Sequence, residues 1–491
     1  MESNFKFKAF LIILVLILLT YSNSFRNQFV WDDDFLIVRN PYIRSPSSIS
    51  KILSKELFFS IPVWRSYYRP LQTLSYALDY SIFRLNPWGF HLANILLHFL
   101  NALLVLKLLN LLAKDNFVAL AGAILFSLHP AQVEAVTYVS GRADLLLGVF
   151  FLSSLILYII HYNYPLPKRS HLYLTSLLLF LLSLLSRELA LILPFILIAF
   201  DFFNKKIRLS RYIPYFFIAI VYLSVRLLIS SVTRHSLFTF KDTIILNPIK
   251  LFKVIITYAK IVILPVNLHT GRLLPVNITL ADILLLILFV SVFIICTRLY
   301  KAKKNIVYFA TVWFSVILVS QTNIFWRTII VHTAEHCLYL PLIGFFLIIS
   351  FLIKRVYERN RPRAITLFIG LVLFYGIITY SQNIFWKDSI SLYRWTLKNS
   401  PGNFLIRYNL GLEYVKKNLF EQAIKEFKLV LKYNPEYTDA LSSLGNVYFE
   451  LGRYKDANEL YQRALKIDPN SAFLRQNYEM ISKELKGYND K

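Results

Sequence analysis

Long apolar runs separated by short polar segments dominate the first 383 residues of the chain. Their lengths and hydropathy predict eleven membrane-spanning helices, at about 9–24, 89–113, 117–129, 143–162, 171–186, 189–203, 212–230, 280–298, 306–321, 337–353 and 364–381. In a further apolar segment, 251–264, Lys253 and Lys260 lie seven residues apart and share one helix face. This pattern predicts an amphipathic helix on the outer membrane surface rather than a further span.

A 34-residue period follows the apolar part. Pro401, Pro435 and Pro469 are spaced 34 residues apart, and the pair Leu410-Gly411 recurs at the same interval as Leu444-Gly445. Small and aromatic residues at this period are typical of tetratricopeptide repeats, in which each unit is a pair of antiparallel helices. We expect two full repeats. Two roles remain open for them: a groove that binds a peptide or partner protein, or a spacer or dimerisation surface.

The composition is that of a membrane protein and not of a soluble domain. Of 491 residues, 56% are hydrophobic and only 17% are charged, whereas soluble domains are nearer 25% charged. These values exclude a single soluble domain, a disordered chain and a disulfide scaffold. We therefore predict an all-α protein: a membrane domain at 1–383, with a large first outer loop at 25–88, and a tetratricopeptide-repeat α-solenoid at 384–491. The two cysteines are expected to be small buried hydrophobic residues.

Charge orients the predicted spans. The formal net charge is +26, and the short loops and helix ends on one side carry nineteen Lys and Arg. The short loops on the other side carry three, Arg142, Arg187 and Arg327. Because basic loops stay in the cytoplasm, this asymmetry places the N-terminus inside and the repeats outside the cell membrane. The positive charge flanks apolar spans, so the lipid bilayer is the expected partner and nucleic acid is not. No small-residue cleavage site follows the first span, which we expect to be retained.

Three adjacent carboxylates stand out in a membrane domain that is poor in acids. Asp32, Asp33 and Asp34 follow Trp31 in the first outer loop, and like charges so close repel one another. One interpretation is a solvated helix start. The other is a general base beside a positioning acid: one carboxylate would deprotonate an acceptor hydroxyl, and its neighbour would hold the acceptor or a metal. No cofactor follows from these residues, and a divalent metal beside them lacks any supporting ligand spacing.

Every short outer loop between the predicted spans combines an acid with Arg or His. Together these groups would form a cationic mouth suited to a phosphate-bearing lipid; the alternative is a set of ion pairs that seal helix ends. Arg69, beside Tyr68, is either a phosphate ligand or an interfacial arginine. His91 and His98 share a helix face and are either core histidines or ligands. The candidate substrate-binding residues are Asp34, Tyr68, Arg69, His91, His129, Glu134, Arg142, Asp144, Arg187, Glu188, Glu335 and His336.

The order of these motifs resembles the transmembrane and tetratricopeptide repeat-containing protein O-mannosyltransferases and their prokaryotic relatives. The resemblance covers nearly the whole chain. It rests on Trp31-Asp32-Asp33, Asn40-Pro41, Tyr68-Arg69-Pro70, His91…Asn94…His98, His129-Pro130…Glu134, Ser140-Gly141-Arg142…Asp144, Ser186-Arg187-Glu188, Ala334-Glu335…Leu338-Tyr339-Leu340-Pro341 and the repeats. The chain departs from the family in Trp31, where Tyr is more usual, in the additional Asp34, and in His336, where Arg is common.

The resemblance implies a GT-C glycosyltransferase with its active site on the outer face. Such an enzyme would move a sugar, with mannose expected, from a polyprenyl phosphate carrier to Ser or Thr hydroxyls of a protein acceptor. The repeats would bind that acceptor, and Asp32 and Asp33 would be the catalytic pair. Two alternatives stay open: a lipid-linked oligosaccharide ligase or other GT-C enzyme with a glycan or lipid acceptor, and a non-catalytic scaffold that displays the repeats.

Overall fold

The computed structural model describes residues 2–55, 57, 67–163, 170–229, 248–274, 277–301, 304–321 and 332–489. These residues form two compact units: Met1–Leu268 with Leu274–Lys387, and His269–Leu273 with Asp388–Lys491. Four of the basic residues used to orient the spans lie outside the described residues: Lys168, Arg169, Lys303 and Arg327.

The first unit is built from helices. In chain order they are α1 Glu2–Tyr21, α2 Ile49–Ser54, α3 Pro70–Phe83, α4 Pro87–Ala113, α5 Asn116–Leu128, α6 Val133–Val136, α7 Arg142–Asn163, α8 Ser170–Ser186, α9 Leu193–Phe203, α10 Ile213–Ile229, α11 Pro248–Ile263, α12 Leu280–Leu299, α13 Lys304–Gln321, α14 Pro341–Arg359 and α15 Arg361–Phe385. Two strands of two residues each are also described, β1 Arg272–Leu273 in the second unit and β2 His332–Thr333 in the first. The prediction of an all-α protein is confirmed.

Local sequence explains where the long helices begin and end. The side chain of Asn86 accepts a hydrogen bond from Trp88 N, and Pro87 occupies the first turn of α4, where its missing N–H costs nothing. The helix ends at Lys114, which adopts a left-handed conformation with φ of 51°. Asp115 then caps α5 by accepting from Val118 N. The polar connection between the apolar helices α4 and α5 is therefore only two residues long, Lys114 and Asp115.

Among the described residues, five helices are long and apolar enough to cross a membrane. A sixth is formed if α5 and the following segment Pro130–Val136, bent by 55°, are counted as one span. Three shorter apolar helices lie at His171–Ser186, Ile213–Ile229 and Asn305–Gln321. The chain is an integral membrane protein, and the count of eleven spans stays a prediction.

The segment predicted to lie on the membrane surface is the helix α11. One of its faces packs into the unit, where Tyr258, Ala259 and Val262 are almost fully buried. The opposite face carries Lys260, whose Nζ lies 3.2 Å from Asp282 Oδ1. The helix is therefore two-sided, as its sequence indicates. That it lies on the membrane surface and does not cross the membrane stays a prediction.

The second unit contains α16 Ser389–Asn399, α17 Phe404–Lys416, α18 Phe420–Tyr433, α19 Thr438–Glu450, α20 Tyr454–Ile467 and α21 Ala472–Asn489. The repeated glycines allow close packing within each helix pair. A Cβ atom on Gly411 would lie 2.5 Å from the Phe427 ring, and one on Gly445 would lie 2.8 Å from the Tyr461 ring. Each of these aromatic residues is buried in turn, so the 34-residue period records a repeated packing contact.

Candidate active site

The three acids of the first outer loop have different environments. Asp33 is fully buried, Asp32 is half-buried, and the Asp34 carboxylate lies 2.9 Å from the guanidinium group of Arg39. Trp31, directly before them, has φ of 54°, in the left-handed region that bulky residues rarely adopt. The structure thus separates a surface ion pair, a half-buried acid and a buried acid within three residues.

Asp33 anchors the acidic loop to the segment before α7. Its Oδ2 accepts from Val30 N at 3.0 Å, and its Oδ1 accepts from Ser140 N at 2.9 Å and from Ser140 Oγ at 2.5 Å. Burial raises the pKa of the Asp33 carboxyl group to about 7, against the opposing effect of these donors. Asp33 is therefore poised between its charged and neutral forms near neutral pH.

The short segment 138–144 connects the acids to the other charged groups. The Tyr138 hydroxyl accepts from Asp32 N at 3.2 Å, Ser140 binds Asp33, and the carboxylate of Asp144 pairs with Arg187. Gly141 permits this tight path, because a Cβ there would lie 2.5 Å from the carbonyl oxygen of Ala135. One segment thus holds the acidic loop and an arginine of a second loop in fixed relation.

Two arginines lie next to each other in this second region. Arg69 donates to both carboxylate oxygens of Glu188, at 2.7 and 3.1 Å, and its guanidinium group lies 4.4 Å from the centre of the Tyr67 ring. Arg187 pairs with Asp144, and its positive charge is close enough to influence Arg69. Burial would raise the pKa of Glu188, but Arg69 and Arg187 lower it to about 2. Glu188 therefore stays charged and holds the Arg69 guanidinium group in one orientation.

Helix α3 links this arginine region to the acidic loop. Arg69 precedes its first turn, and Gln72 lies one turn further along. The Gln72 side-chain amide donates to the carbonyl oxygen of Ser140 at 3.0 Å. Because three helical residues rise by only about 4.5 Å, Arg69 lies near the residue that binds Asp33.

A further ion pair joins α6 to the segment before α14. Glu134 Oε1 lies 3.2 Å from His336 Nδ1, and Glu134 Oε2 accepts from His336 N at 3.0 Å. Burial would lower the pKa of His336, but the Glu134 carboxylate raises it to about 10. The neighbouring Glu335 is 3% exposed. His336 thus provides a positive charge where its relatives were expected to carry Arg.

Three candidate substrate-binding residues are almost fully buried in the fold. Arg142 is 1% exposed and gives its hydrogen bonds to Asp79 at 2.5 Å, to Asn94 at 2.5 Å and to Phe90 O at 2.9 Å. His91 and His129 are 1% and 0% exposed. These contacts favour roles in stabilising the fold, because the polar atoms of buried groups are satisfied by protein partners; substrate binding by these three residues stays a prediction.

The two histidines make hydrogen-bonding contacts within the fold. His91 Nε2 contacts Asn27 O at 3.2 Å inside the bundle. His129 caps the turn after α5, since its Nδ1 accepts from Ala131 N at 3.3 Å. Tyr68 also has a structural contact, because its hydroxyl donates to Leu53 O at 2.8 Å. The interpretation as satisfied core histidines applies to His98 as well, whose ring contacts Tyr339 Oη and Ser127 O.

Sequence reasoning did not select Tyr138, Ser140 or Asp79 as members of the site. The signal for Ser140 was its place directly before Gly141 in a polar loop between apolar spans. Asp79 is recognisable only as an acid in an otherwise apolar helix. Nothing local marks Tyr138, which touches Asp32 across 106 residues of sequence. Within the described ranges, no group of three or more His, Cys, Asp or Glu could hold a metal ion.

Comparison with known proteins identifies the relatives of the chain. The tetratricopeptide repeat family matches residues 408–472. A protein O-mannosyl-transferase of Caenorhabditis elegans is 29% identical over 446 residues, covering 87% of this chain and 63% of that protein. The human protein O-mannosyl-transferase TMTC3 is 24% identical over 519 residues, covering 95% of this chain and 56% of that protein.

Among solved structures, the archaeal oligosaccharyltransferase AglB from Archaeoglobus fulgidus, in complex with an inhibitory peptide and a dolichol-phosphate, aligns with a TM-score of 0.46. The identity is 12%, over 78% of this chain and 56% of that chain.

The apolar helices and the repeats define the class of the protein: an integral membrane protein with a tetratricopeptide-repeat unit. Within that class, its homologues are the protein O-mannosyl-transferases, so the resemblance drawn from the motifs is confirmed. The chain spans only 63% and 56% of the lengths of the two relatives described above.

Proposed function

We propose that the chain is a membrane glycosyltransferase that moves mannose from a polyprenyl phosphate carrier to Ser or Thr hydroxyls of protein acceptors. The observation that carries this proposal is the segment 138–144. It binds the acidic loop through Tyr138 and Ser140 and binds Arg187 through Asp144. A general base and an anion site would thus be held at a fixed separation, as a group transfer from a phosphate carrier requires.

In this proposal Asp32 is the general base. Its side chain is half-buried, whereas Asp33 is buried against Ser140 and the half-buried Asp34 pairs with Arg39. The Asp32 carboxylate removes the proton from the acceptor hydroxyl as the oxygen attacks the anomeric carbon. The bond from that carbon to the carrier phosphate breaks, and in-line attack inverts the configuration of the sugar.

Arg69 and Arg187 stabilise the phosphate as it leaves. Each guanidinium group is held on one edge by a carboxylate, Arg69 by Glu188 and Arg187 by Asp144. An arginine has five N–H donors in a fixed fork, so the opposite edge of each group can donate to phosphate oxygens. Such pre-oriented cations act where negative charge develops in the transition state. His336, held charged by Glu134, adds to the positive potential of the outer loops.

The sidedness follows from the charge of the loops. With the N-terminus in the cytoplasm, the acidic loop and the repeats lie outside, where a lipid-linked donor can enter from the bilayer. The repeat unit would bind the acceptor protein. The names of the relatives support a mannose donor and a protein acceptor.

The test is the substitution Asp32→Asn in the full-length protein in membranes. Transfer from polyprenyl phosphate mannose to Ser/Thr peptides, measured by glycopeptide mass spectrometry, should fall by at least about 100-fold. The comparison variant is Asp34→Asn, because Asp34 pairs with Arg39; as a substrate ligand rather than the base, it should raise KM and keep most of kcat. If the Asp32→Asn protein transferred mannose at the wild-type rate, Asp32 would not be the general base.

The same experiment separates the alternatives. A lipid-linked oligosaccharide ligase would leave peptides unmodified and extend a glycan or lipid acceptor in a parallel assay. A non-catalytic scaffold would show no transfer to any acceptor, and Asp32→Asn would have no effect in cells, whereas deletion of residues 384–491 would abolish function.

A further inference from the structure

Three aromatic rings stack beside the acidic loop. The ring centres of Trp31 and Tyr138 are 6.1 Å apart with planes 25° apart, and those of Tyr138 and Trp386 are 5.4 Å apart with planes 31° apart. Trp386 is 5% exposed, whereas Trp31 and Tyr138 are half-buried. The stack therefore has a buried base and two partly accessible rings.

The stack is held in place at both ends. The Tyr138 hydroxyl accepts from Asp32 N at 3.2 Å, which fixes the ring relative to the residue that follows Trp31. Trp386 lies just after α15, and the next residue, Lys387, accepts a backbone hydrogen bond from Gln28 N at 2.8 Å. Aromatic side chains fixed in this way lose little conformational entropy when a ligand packs against them.

The backbone at Trp31 is unfavourable for a bulky residue. Its φ of 54° places it in the left-handed region, which costs of the order of 1 kcal/mol or more for residues other than glycine. Burial does not explain this conformation, because the indole remains half-buried. Strain of this kind gathers at functional sites, and here it directs the indole onto the Tyr138 ring beside Asp32.

We propose that the face of the Trp31 indole turned away from Tyr138 is an aromatic platform that binds the pyranose ring of the donor sugar, with Tyr138 as its support. An aromatic face is negatively polarised, and a pyranose presents rows of positively polarised C–H groups to it. The inference rests on the proposed function, because the anomeric carbon must then lie between the Asp32 carboxylate and the leaving phosphate. The sugar ring is thereby next to Asp32, where the platform lies.

The test compares two probes, polyprenyl phosphate mannose and polyprenyl phosphate without the sugar, each bound to the full-length protein in lipid nanodiscs. The ratio of their dissociation constants isolates the contribution of the sugar. Trp31→Leu should weaken binding of the mannose carrier roughly 5- to 10-fold and leave binding of the bare carrier unchanged. Trp31→Phe keeps an aromatic face, so its ratio of dissociation constants should be close to that of the wild type.

A matched control is Trp88→Leu. Trp88 is also partly exposed, but it packs against Phe25 and Phe83 at the start of α4, so the ratio should not change. The platform is overturned if Trp31→Leu leaves the ratio at the wild-type value, or if it weakens both carriers equally. A wild-type protein that binds neither carrier would instead overturn the proposed function, and the platform with it.

Discussion

The exchange of Asp33 for Asn tests the buried anchor of the acidic loop. The Asp33 carboxylate accepts two hydrogen bonds from Ser140 on one oxygen and one from Val30 N on the other. Asparagine keeps only one acceptor oxygen, so in either orientation its NH₂ group faces a donor, whereas the hydroxyl oxygen of the protonated Asp33 carboxyl group can still accept a hydrogen bond. A buried polar group left unsatisfied costs about 1–3 kcal/mol. We expect Asp33→Asn to destabilise the first unit by this amount at pH 5.

The pH dependence makes this prediction specific. Burial raises the pKa of Asp33 from 3.8 to about 7, so the folded state prefers the protonated acid. The resulting stabilisation is complete below pH ~4 and is lost as the pH rises through about 7. By linkage, this shift of the Asp33 pKa corresponds to at most about 4 kcal/mol in the free energy of unfolding. Asparagine does not titrate. The difference in the free energy of unfolding between wild type and Asp33→Asn should therefore narrow or reverse between pH 5 and pH 8.

A thiol-reactive dye can follow this unfolding. The chain has two cysteines, Cys296 and Cys337, which are both buried and free and both lie in the first unit. Dye labelling during heating in detergent therefore reports on the membrane unit and not on the repeats. Each kcal/mol should move the midpoint by about 2–4 °C. Equal midpoints at pH 5, or the same pH dependence in both proteins, would refute the role of Asp33 as a buried, titrating anchor.

Two further substitutions test the segment 138–144 and the anion site. Gly141→Ala places a Cβ 2.5 Å from Ala135 O and should cost about 1–3 kcal/mol in the dye assay; Gly370→Ala, which meets nothing within 4 Å, should leave the midpoint in place. Arg69→Lys keeps the charge but loses the two-pronged contact with Glu188, so the bare polyprenyl phosphate should bind about tenfold more weakly. Unchanged binding by Arg69→Lys would remove Arg69 from the phosphate site.

The charged residues of the site show where prediction from sequence ended. Asp32, Arg69, Glu188 and His336 were recognisable because ionisable groups are scarce between apolar spans. Which of them pair could not be predicted, since the contacts join distant positions. Asp33 meets Ser140 across 107 residues, Arg69 meets Glu188 across 119, and His336 meets Glu134 across 202.

The sequence by itself determined the helices, the membrane character and the repeats. The signals for them are local patterns in the sequence: apolar runs, capping residues such as Asn86, and the 34-residue period. They can be recognised without knowledge of tertiary contacts. Tertiary structure decided how far each polar side chain is buried. It buried Arg142 against Asp79 and kept Arg69 partly accessible, although both are arginines of outer loops. The physical reason is that desolvation depends on everything packed around a side chain, and most of those atoms come from helices far away in sequence.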